Sequence, residues 1–384
     1  MRRRSEEIAS FNGAISNLKV ARVDAHTIAL VVTGLATPAG KLYNSETAEK
    51  PRSTARIYSK LFVRQWDSYI TENKSAIWYT TLKKNHITLP KVSPLVNLLA
   101  GHTSALESPV PPFGGSADFD VSRNGVVFVA KDPKLDPANY TKTDLYYIPL
   151  RFTESQAQVP APQIVKTGNL KGYTQSPVFS PDGKSVAFTR MKSDQYESDK
   201  TRLLLLPDTT DLANVQEFYE TEDGEGGWDL RPDTILWSQD GSELFVTAEE
   251  NGRGKLFKLP ASPRHVKDLP TAVVNDGTVT DVKLLPKDQL LVSSNSLVDN
   301  SVYSLVDLSK PAEPKIISTN AKGGKTFGLS QHQVDEFWYT GAGDYHVHAW
   351  VVKPSHFDKN KKYPLAYLIH GGVIFPIQAL SLLC

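Results

Sequence analysis

The sequence predicts an all-β protein built from repeated four-stranded units. The best-defined unit begins at residues 175–190, where two alternating apolar segments flank Asp182-Gly183. Asp-Gly favours a tight turn between two strands because glycine adopts positive φ without steric cost. Similar hairpins occur at residues 117–131 and 235–249, and the turn glycines of the three copies are equally spaced. Equal spacing favours a repeat over chance turns in an ordinary β-sandwich.

Weaker copies of the hairpin occur at residues 18–32 and 279–294. A third apolar segment follows each hairpin, and a fourth often follows that one. Four strands per unit of this length are typical of a β-propeller blade. The predicted blades are 18–32 completed by 73–99, then 117–167, 176–220, 234–275 and 279–319. The sequence therefore predicts five recognisable blades.

Composition excludes several classes of protein. The 43 basic and 42 acidic side chains leave a formal charge of +1, which favours neither nucleic acid nor an anionic membrane as a partner. No run of 18 apolar residues is present, so no membrane span is predicted. The charged start of the chain precedes no hydrophobic segment and is not a signal peptide. Because Cys384 is the sole cysteine, we expect neither disulfides nor a thiolate metal site, and no cofactor motif is found.

Residues 35–70 interrupt the first repeat. Aromatic residues recur there at three- and four-residue intervals, and basic residues lie between them: Tyr58, Phe62, Trp66 and Tyr69, with Arg56, Lys60 and Arg64. This pattern fits an amphipathic helix or a packed loop over a cavity. The basic residues form either a solvated face or a site in which Arg56 or Arg64 faces a substrate carboxylate or carbonyl.

Two connections and two tripeptides are further features of the sequence. Residues 108–116, SPVPPFGGS, join two units and cannot lie inside a strand. Residues 222–228, EDGEGGW, form a solvated acidic turn or, as the alternative, a metal site of Glu222, Asp223 and Glu225. Asn73 and Asn139 begin N-glycosylation acceptor tripeptides, which also arise by chance.

The repeat stops after residue 330. Residues 334–339 and 345–352 predict two strands, and residues 363–372, YPLAYLIHGG, predict a strand that is buried on both faces. His370-Gly371-Gly372 at its end matches the oxyanion loop of α/β-hydrolases, where a backbone N–H faces the tetrahedral intermediate. The sequence therefore predicts a second domain that begins at residue 334.

The Asp-Gly turns, VHAWVVKP at residues 347–354 and KYPLAYLIHGG together resemble the prolyl oligopeptidase family of serine peptidases. The insertion and PPFGGSADFDVS at residues 111–122 are similar to its secreted fungal dipeptidyl peptidases, although Ser59 and Gln65 replace an Asp and a His. The resemblance implies a seven-bladed propeller over a hydrolase whose Ser-Asp-His triad releases dipeptides from peptide substrates. It also implies secretion and glycosylation at Asn73 and Asn139.

This sequence departs from the family after Gly372 and contains no serine elbow or triad residue. We therefore expect a fragment without two N-terminal blades and a signal peptide, and without peptidase activity of its own. The expected domains are 1–12 unassigned, 13–330 incomplete propeller, 334–372 start of the hydrolase, and 373–384 an aberrant tail of translated intron. Leu365, Tyr367 and Ile369 should then be exposed. The alternative function is a non-enzymatic propeller that binds peptides or proteins.

Overall fold

The computed structural model describes residues 7–50, 52–65, 67–83, 91–101, 106–152, 159–195, 199–265 and 268–368. The predictions for the oxyanion loop His370-Gly371-Gly372, for Trp66, for Ile369 and for the tail at residues 373–384 concern residues outside these ranges. The chain divides into two compact units, residues 1–226 and 227–384. No helix in the described ranges is long and apolar enough to cross a membrane.

The described part of the first unit contains three antiparallel sheets and one small hairpin. The first sheet and the hairpin comprise β1 (Ser16–Arg22), β2 (Thr27–Ala36), β3 (Arg64–Gln65), β4 (Ser68–Tyr69), β5 (Lys74–Lys83), β6 (Lys91–Val92) and β7 (Val96–Asn97). The sheet order is β1-β2-β5-β6, β7 also pairs with β5, and β3 pairs only with β4.

The second and third sheets each have four strands in simple up-and-down order. A 3-10 helix (Ser116–Asp118) precedes the second sheet, which comprises β8 (Phe119–Ser122), β9 (Gly125–Lys131), β10 (Thr143–Pro149) and β11 (Gln163–Ile164). The third comprises β12 (Thr174–Phe179), β13 (Val186–Met191), β14 (Thr201–Leu206) and β15 (Gln216–Glu217).

The second unit contains two four-stranded sheets and a hairpin among its described residues. The sheets comprise β16 (Pro232–Trp237), β17 (Glu243–Glu250), β18 (Arg253–Pro260) and β19 (Thr271–Val274), then β20 (Thr278–Leu285), β21 (Gln289–Asn295), β22 (Val302–Asp307) and β23 (Lys315–Thr319). The hairpin comprises β24 (Val334–Thr340) and β25 (His346–Val352). Three 3-10 helices are Pro263–His265, Lys325–Phe327 and Gln331–Gln333.

The five larger sheets of the described chain lie at the sequence positions of the predicted repeats, and the turn chemistry explains why. At the β12–β13 turn, Gly183 has φ +74° and donates its N–H to the Ser180 carbonyl at 2.8 Å. The Asp182 carboxylate accepts the Ser180 hydroxyl at 2.6 Å and the Lys184 N–H at 3.1 Å. The β16–β17 turn repeats this arrangement with Asp240 and Gly241. The all-β architecture that was predicted from apolar segments and Asp-Gly turns is thereby confirmed.

Apolar side chains pack between consecutive sheets. In the first unit one cluster joins the first and second sheets through residues such as Ile77 and Phe128, and another joins the second and third through residues such as Val127 and Phe188. A cluster around Val292 does the same for the two sheets of the second unit. Every residue of β13 is buried, which is the environment of a central strand covered on both faces.

A buried ion pair also joins the second and third sheets. An Nη atom of Arg190, on β13, lies 2.9 Å from a carboxylate oxygen of Asp144, on β10, and both side chains are at most 5% exposed. Beside it, the Thr143 hydroxyl accepts the Thr174 N–H at 2.6 Å and donates to the Thr174 carbonyl at 2.9 Å. The two threonines thus satisfy each other between the sheets, and the ion pair brings together two opposite charges that are shielded from water.

The prediction of a strand at residues 363–372 is wrong for the part of it that the structure describes, residues 363–368. These residues belong to no sheet. Within the described chain, β24 and β25 pair only with each other, so this segment has no strand with which to share backbone hydrogen bonds. Leu365 is 83% exposed and Tyr367 is 68% exposed, which confirms the predicted exposure of these two residues.

Asp144→Ala should destabilise the first unit by about 3–5 kcal/mol, because it leaves the Arg190 guanidinium buried without its carboxylate. Urea unfolding monitored by far-UV circular dichroism measures the change. The control is Glu225→Ala, which removes the exposed ion pair with Lys192 and should shift the midpoint far less. Equal shifts for the two variants would show that the buried pair has no special role.

Candidate functional site

The insertion leaves the first sheet and returns to it at the same place. Ala36, the last residue of β2, pairs with Lys74, the first residue of β5, and Leu35 pairs with Ser75. Residues 37–73 therefore form an excursion from one end of this sheet. The Tyr43 N–H donates to the Leu35 carbonyl at 2.8 Å, which holds the first part of the excursion against the strand.

The rest of the insertion is a packed loop, and the helix predicted as one of two alternatives is wrong. Its described residues contain the β3–β4 hairpin and no helix. The Tyr58 hydroxyl donates to the Ile70 carbonyl at 2.9 Å, so the chain before the hairpin folds back onto the chain after it. The Arg56 guanidinium carbon lies 4.9 Å from the centre of the Tyr69 ring, a cation–π arrangement. These cross-loop contacts replace the helical i, i+4 contacts.

A cavity of about 1100 Å³ lies beside the insertion in the first unit. Three segments line it: the insertion and the start of β5, the connection before the second sheet, and the connection between β9 and β10. Its charged lining residues are Arg56, Lys60, Glu72, Lys74, Glu107, Lys131 and Asp132. Apolar side chains and prolines supply much of the remaining wall, as in many ligand pockets.

The second wall, which is the connection before the second sheet, is fixed by hydrogen bonds to half-buried and buried groups. One carboxylate oxygen of Glu107 accepts the Ser75 N–H at 2.9 Å, and the other lies 3.3 Å from the Lys74 ammonium. The Val110 N–H donates to the Asp118 carboxylate at 2.7 Å. Gly114 lies so close that an added Cβ would be 2.3 Å from the same carboxylate oxygen. The Pro/Gly connection is therefore held by Asp118 at a position where only glycine fits.

The third wall is the connection between β9 and β10. The Lys131 ammonium donates to the carbonyls of Pro137 and Tyr140 at 3.1 and 3.3 Å. The Asp132 carboxylate lies 2.7 Å from the Lys142 ammonium. Partial burial raises the pKa of Asp132, but the hydrogen bond and charge of Lys142 outweigh it, so the pKa lies below its usual value. Asp132 is therefore an ionised, paired member of the wall.

The ion pairs of the cavity determine which of its charged side chains are available to bind a ligand. Glu107 and Asp132 are each paired with a lysine. Among the described lining residues, Arg56 and Lys60 are exposed cations without an ion-pair partner within 4 Å, and Glu72 is an exposed carboxylate without one. The cavity thus offers two cations and one anion among apolar walls. This combination suits a peptide, which presents carbonyl acceptors, charged termini and apolar side chains.

Burial raises the pKa of the Asp118 carboxyl to about 6, although the Val110 N–H donor and the charge of Lys19 lower it. Lys19 itself lies 3.4 Å from Asp120 and 5.3 Å from the Phe119 ring centre. The group that holds the second wall therefore changes charge in mildly acidic solution.

The sequence-predicted site residues do not all meet at this cavity. Arg56 lines it, whereas Arg64 lies exposed on β3 and is not among its lining residues. Asn73 is half-buried and lines the cavity, and Asn139 is exposed on the β9–β10 connection. The sequence analysis did not predict that the second and third walls line a site. It identified residues 108–116, in the second wall, only as a connection between two units.

The acidic segment at residues 222–228 forms a hydrogen-bonded turn. The Asp223 carboxylate accepts the Thr221 hydroxyl at 2.6 Å and the Glu225 N–H at 2.9 Å, and Glu225 pairs with Lys192. In the part of the chain that the structure describes, no three His, Cys, Asp or Glu residues are grouped as metal ligands. Asp223 and Glu225 are thus engaged within the turn.

Curated relatives match nearly the whole chain. No family model matches it. The chain is 38% identical over 371 residues to the probable dipeptidyl-peptidase 5 of Arthroderma benhamiae, covering 94% of this chain and 49% of that protein. Identity and coverage are the same for the dipeptidyl-peptidase 5 of Trichophyton schoenleinii. The predicted resemblance to the prolyl oligopeptidase family is confirmed. The chain is a homologue of fungal dipeptidyl-peptidase 5 and spans about half the length of these relatives.

Solved structures share the fold. The acylaminoacyl peptidase of Pyrococcus horikoshii matches with a TM-score of 0.51 at 10% identity, covering 88% of this chain and 43% of that one. An acylaminoacyl peptidase in complex with Z-Gly-Gly-Phe-chloromethyl ketone matches with a TM-score of 0.54 at the same identity and coverage. At this identity the match concerns the fold alone.

Asp118→Asn should change how stability depends on pH. The folded-state pKa of about 6 lies above the unfolded value of 3.8, so the wild-type protein loses stability as pH rises through that interval. The variant has no such titration and should gain on the order of 2–3 kcal/mol relative to wild type between about pH 4 and pH 7. Urea midpoints across this range measure the difference; a constant difference would contradict the assignment.

Proposed function

We propose that this chain is the substrate-gating part of a secreted serine dipeptidyl peptidase, which releases dipeptides from the amino termini of peptides. The observation that carries the proposal is the 38% identity to dipeptidyl-peptidase 5 over 94% of the chain. Identity at this level across nearly all of the chain supports a common fold and a common role for this part of the protein.

The proposed domains follow the boundaries predicted from the sequence. Residues 13–330 are an incomplete β-propeller of five blades, and residues 334–372 begin the α/β-hydrolase domain. Five separate antiparallel sheets in the described residues, one for each repeat, support the propeller assignment. The fold match to two acylaminoacyl peptidases supports it as well. Residues 1–12 and 373–384 belong to neither domain in this proposal.

The chemistry is divided between this chain and the rest of the complete protein. A serine there attacks the scissile carbonyl, a histidine takes its proton, and an aspartate orients the imidazole. This chain supplies the oxyanion loop, His370-Gly371-Gly372, whose backbone N–H groups stabilise the negative charge that develops on the carbonyl oxygen. The histidine then gives the proton to the leaving amine as the peptide C–N bond breaks, and a water molecule that the same histidine deprotonates hydrolyses the acyl-enzyme.

Arg56 is the proposed substrate-binding residue of the cavity. Stacking on Tyr69 occupies one face of the guanidinium and leaves its N–H groups at the edge free to donate. A substrate carbonyl or carboxylate that enters the cavity is a suitable acceptor. Lys60, on the same loop, adds a second positive charge.

The proposed activity is tested with a complete protein, in which this chain is extended to the full length of its curated relatives. It should release dipeptides from a dipeptide-chromophore substrate, and a serine-directed inhibitor should abolish the release. The 384-residue chain alone should give no turnover, because its sequence contains no triad. Binding of peptides without hydrolysis by the complete protein would favour the alternative of a non-enzymatic propeller.

Arg56→Ala in the complete protein should raise KM about tenfold or more with little change in kcat, because a charge-assisted hydrogen bond to bound substrate is lost. Arg64→Ala is the matched control, since Arg64 is an exposed arginine of the same insertion that does not line the cavity. Steady-state kinetics of both variants decide the assignment. An equal effect of the two substitutions would remove Arg56 from the binding site.

We propose that Asn139, and not Asn73, carries an N-linked glycan. Asn139 is exposed, whereas a glycan on Asn73 would fill the cavity that it lines. After expression in a secretory host, Asn139→Gln should lower the intact mass by one glycan, and Asn73→Gln should leave the glycan mass unchanged. Loss of a glycan from the Asn73 variant would contradict the proposal.

A further inference from the structure

The hairpin β24–β25 has two different faces. Glu336 pairs with Trp350 across the strands, and Trp338 pairs with His348. Because side chains alternate along a strand, these four lie on one face, while Phe337 and its cross-strand partner Ala349 lie on the other. The first face carries a carboxylate and an imidazole between indole rings. This face of the hairpin can therefore make a specific polar contact with a neighbouring element.

The face with Glu336 contacts the turn between β17 and β18. The Arg253 guanidinium donates to a carboxylate oxygen of Glu336 at 2.8 Å, and the His348 Nε2 lies 3.0 Å from the same oxygen. The guanidinium carbon also lies 4.4 Å from the centre of the Trp350 ring. Arg253 therefore makes two contacts with the hairpin, one to each strand.

The turn itself is shaped to receive Trp350. Asn251 and Gly252 have φ +52° and +70°, the left-handed conformation of a tight β-hairpin turn. A Cβ added to Gly252 would lie 2.5 Å from the Trp350 indole nitrogen. The absence of a side chain at Gly252 thus allows the indole to approach the turn, and this brings Arg253 over the ring.

Neighbouring charges do not compete for these groups. Glu250, at the other end of the turn, pairs with Lys255. Asp335 and Lys353 pair with each other on the hairpin. The pKa of Glu336 is lowered by the hydrogen bonds from Arg253 and His348. Glu336 is therefore held as a carboxylate by two donors from two elements.

We propose that Arg253, Glu336, His348 and Trp350 form a clamp that fixes the hairpin β24–β25 to the sheet of strands β16–β19. An isolated exposed ion pair contributes little to stability, but here the pair is part of a network with an aromatic stack.

The clamp is tested by hydrogen exchange of the 384-residue chain. Arg253→Gln should accelerate exchange of the amides of residues 334–352 by about tenfold, as expected for loss of a charge-assisted contact, and leave β16–β17 unchanged. Glu336→Gln should act similarly, and the double variant should be no worse than either single variant. The matched control is Lys258→Gln, which breaks the ion pair with Glu243 on the same strand and sheet. Unchanged exchange in residues 334–352, or equal acceleration in the control, would overturn the clamp.

Discussion

The buried ion pair of Asp144 and Arg190 constrains how the second and third sheets pack. Apolar side chains alone tolerate small shifts between sheets, whereas a buried carboxylate must meet its guanidinium with correct geometry. A second set of polar contacts lies at the opposite end of the same sheets, where the Asn124 side chain donates to the Gly183 carbonyl at 3.0 Å and Asp120 accepts the Phe179 N–H at 2.8 Å. The two sheets are therefore fixed at both ends, with the apolar cluster between them.

The same ion pair connects the sheet core to the cavity. Lys142 lies 3.4 Å from the second carboxylate oxygen of Asp144 and 2.7 Å from Asp132, which lines the cavity. Charges thus alternate from Arg190 through Asp144 and Lys142 to Asp132. At this end of the first unit, β2 and β9 end and β5 begins. The segments that line the cavity therefore continue directly from strands that pack in the core. The third wall is held in place by this connection to the core.

The fold was more predictable from sequence than the cavity. Asp182-Gly183 and Asp240-Gly241 determine their turns locally, through side chain to backbone hydrogen bonds within five residues, and alternation then assigns the strands around them. The insertion is different, because Tyr58 bonds to Ile70 and Arg56 stacks on Tyr69 across the loop. Aromatic spacing at three and four residues is compatible with such contacts and with a helix, so the pattern alone left both open. The walls from residues 106–111 and 131–137 depend on contacts such as those of Glu107 with Ser75 and of Asp132 with Lys142. These contacts join residues that are far apart in the sequence, so no local pattern contains them.

Residues 363–368 show why an apolar run does not by itself make a strand. Strand β13 contains Thr189 and Arg190 and is less apolar, yet each of its residues is buried, and β12 and β14 pair with its two edges. The run at 363–368 has the side chains of a central strand, but no strand of the described chain offers its backbone a partner. Backbone N–H and C=O groups are then better solvated than buried, and the apolar side chains remain exposed with them. A strand forms at this position only if a neighbouring sheet is available to pair with it. The sequence pattern shows that the segment is suited to a strand, but it does not show whether that sheet is present.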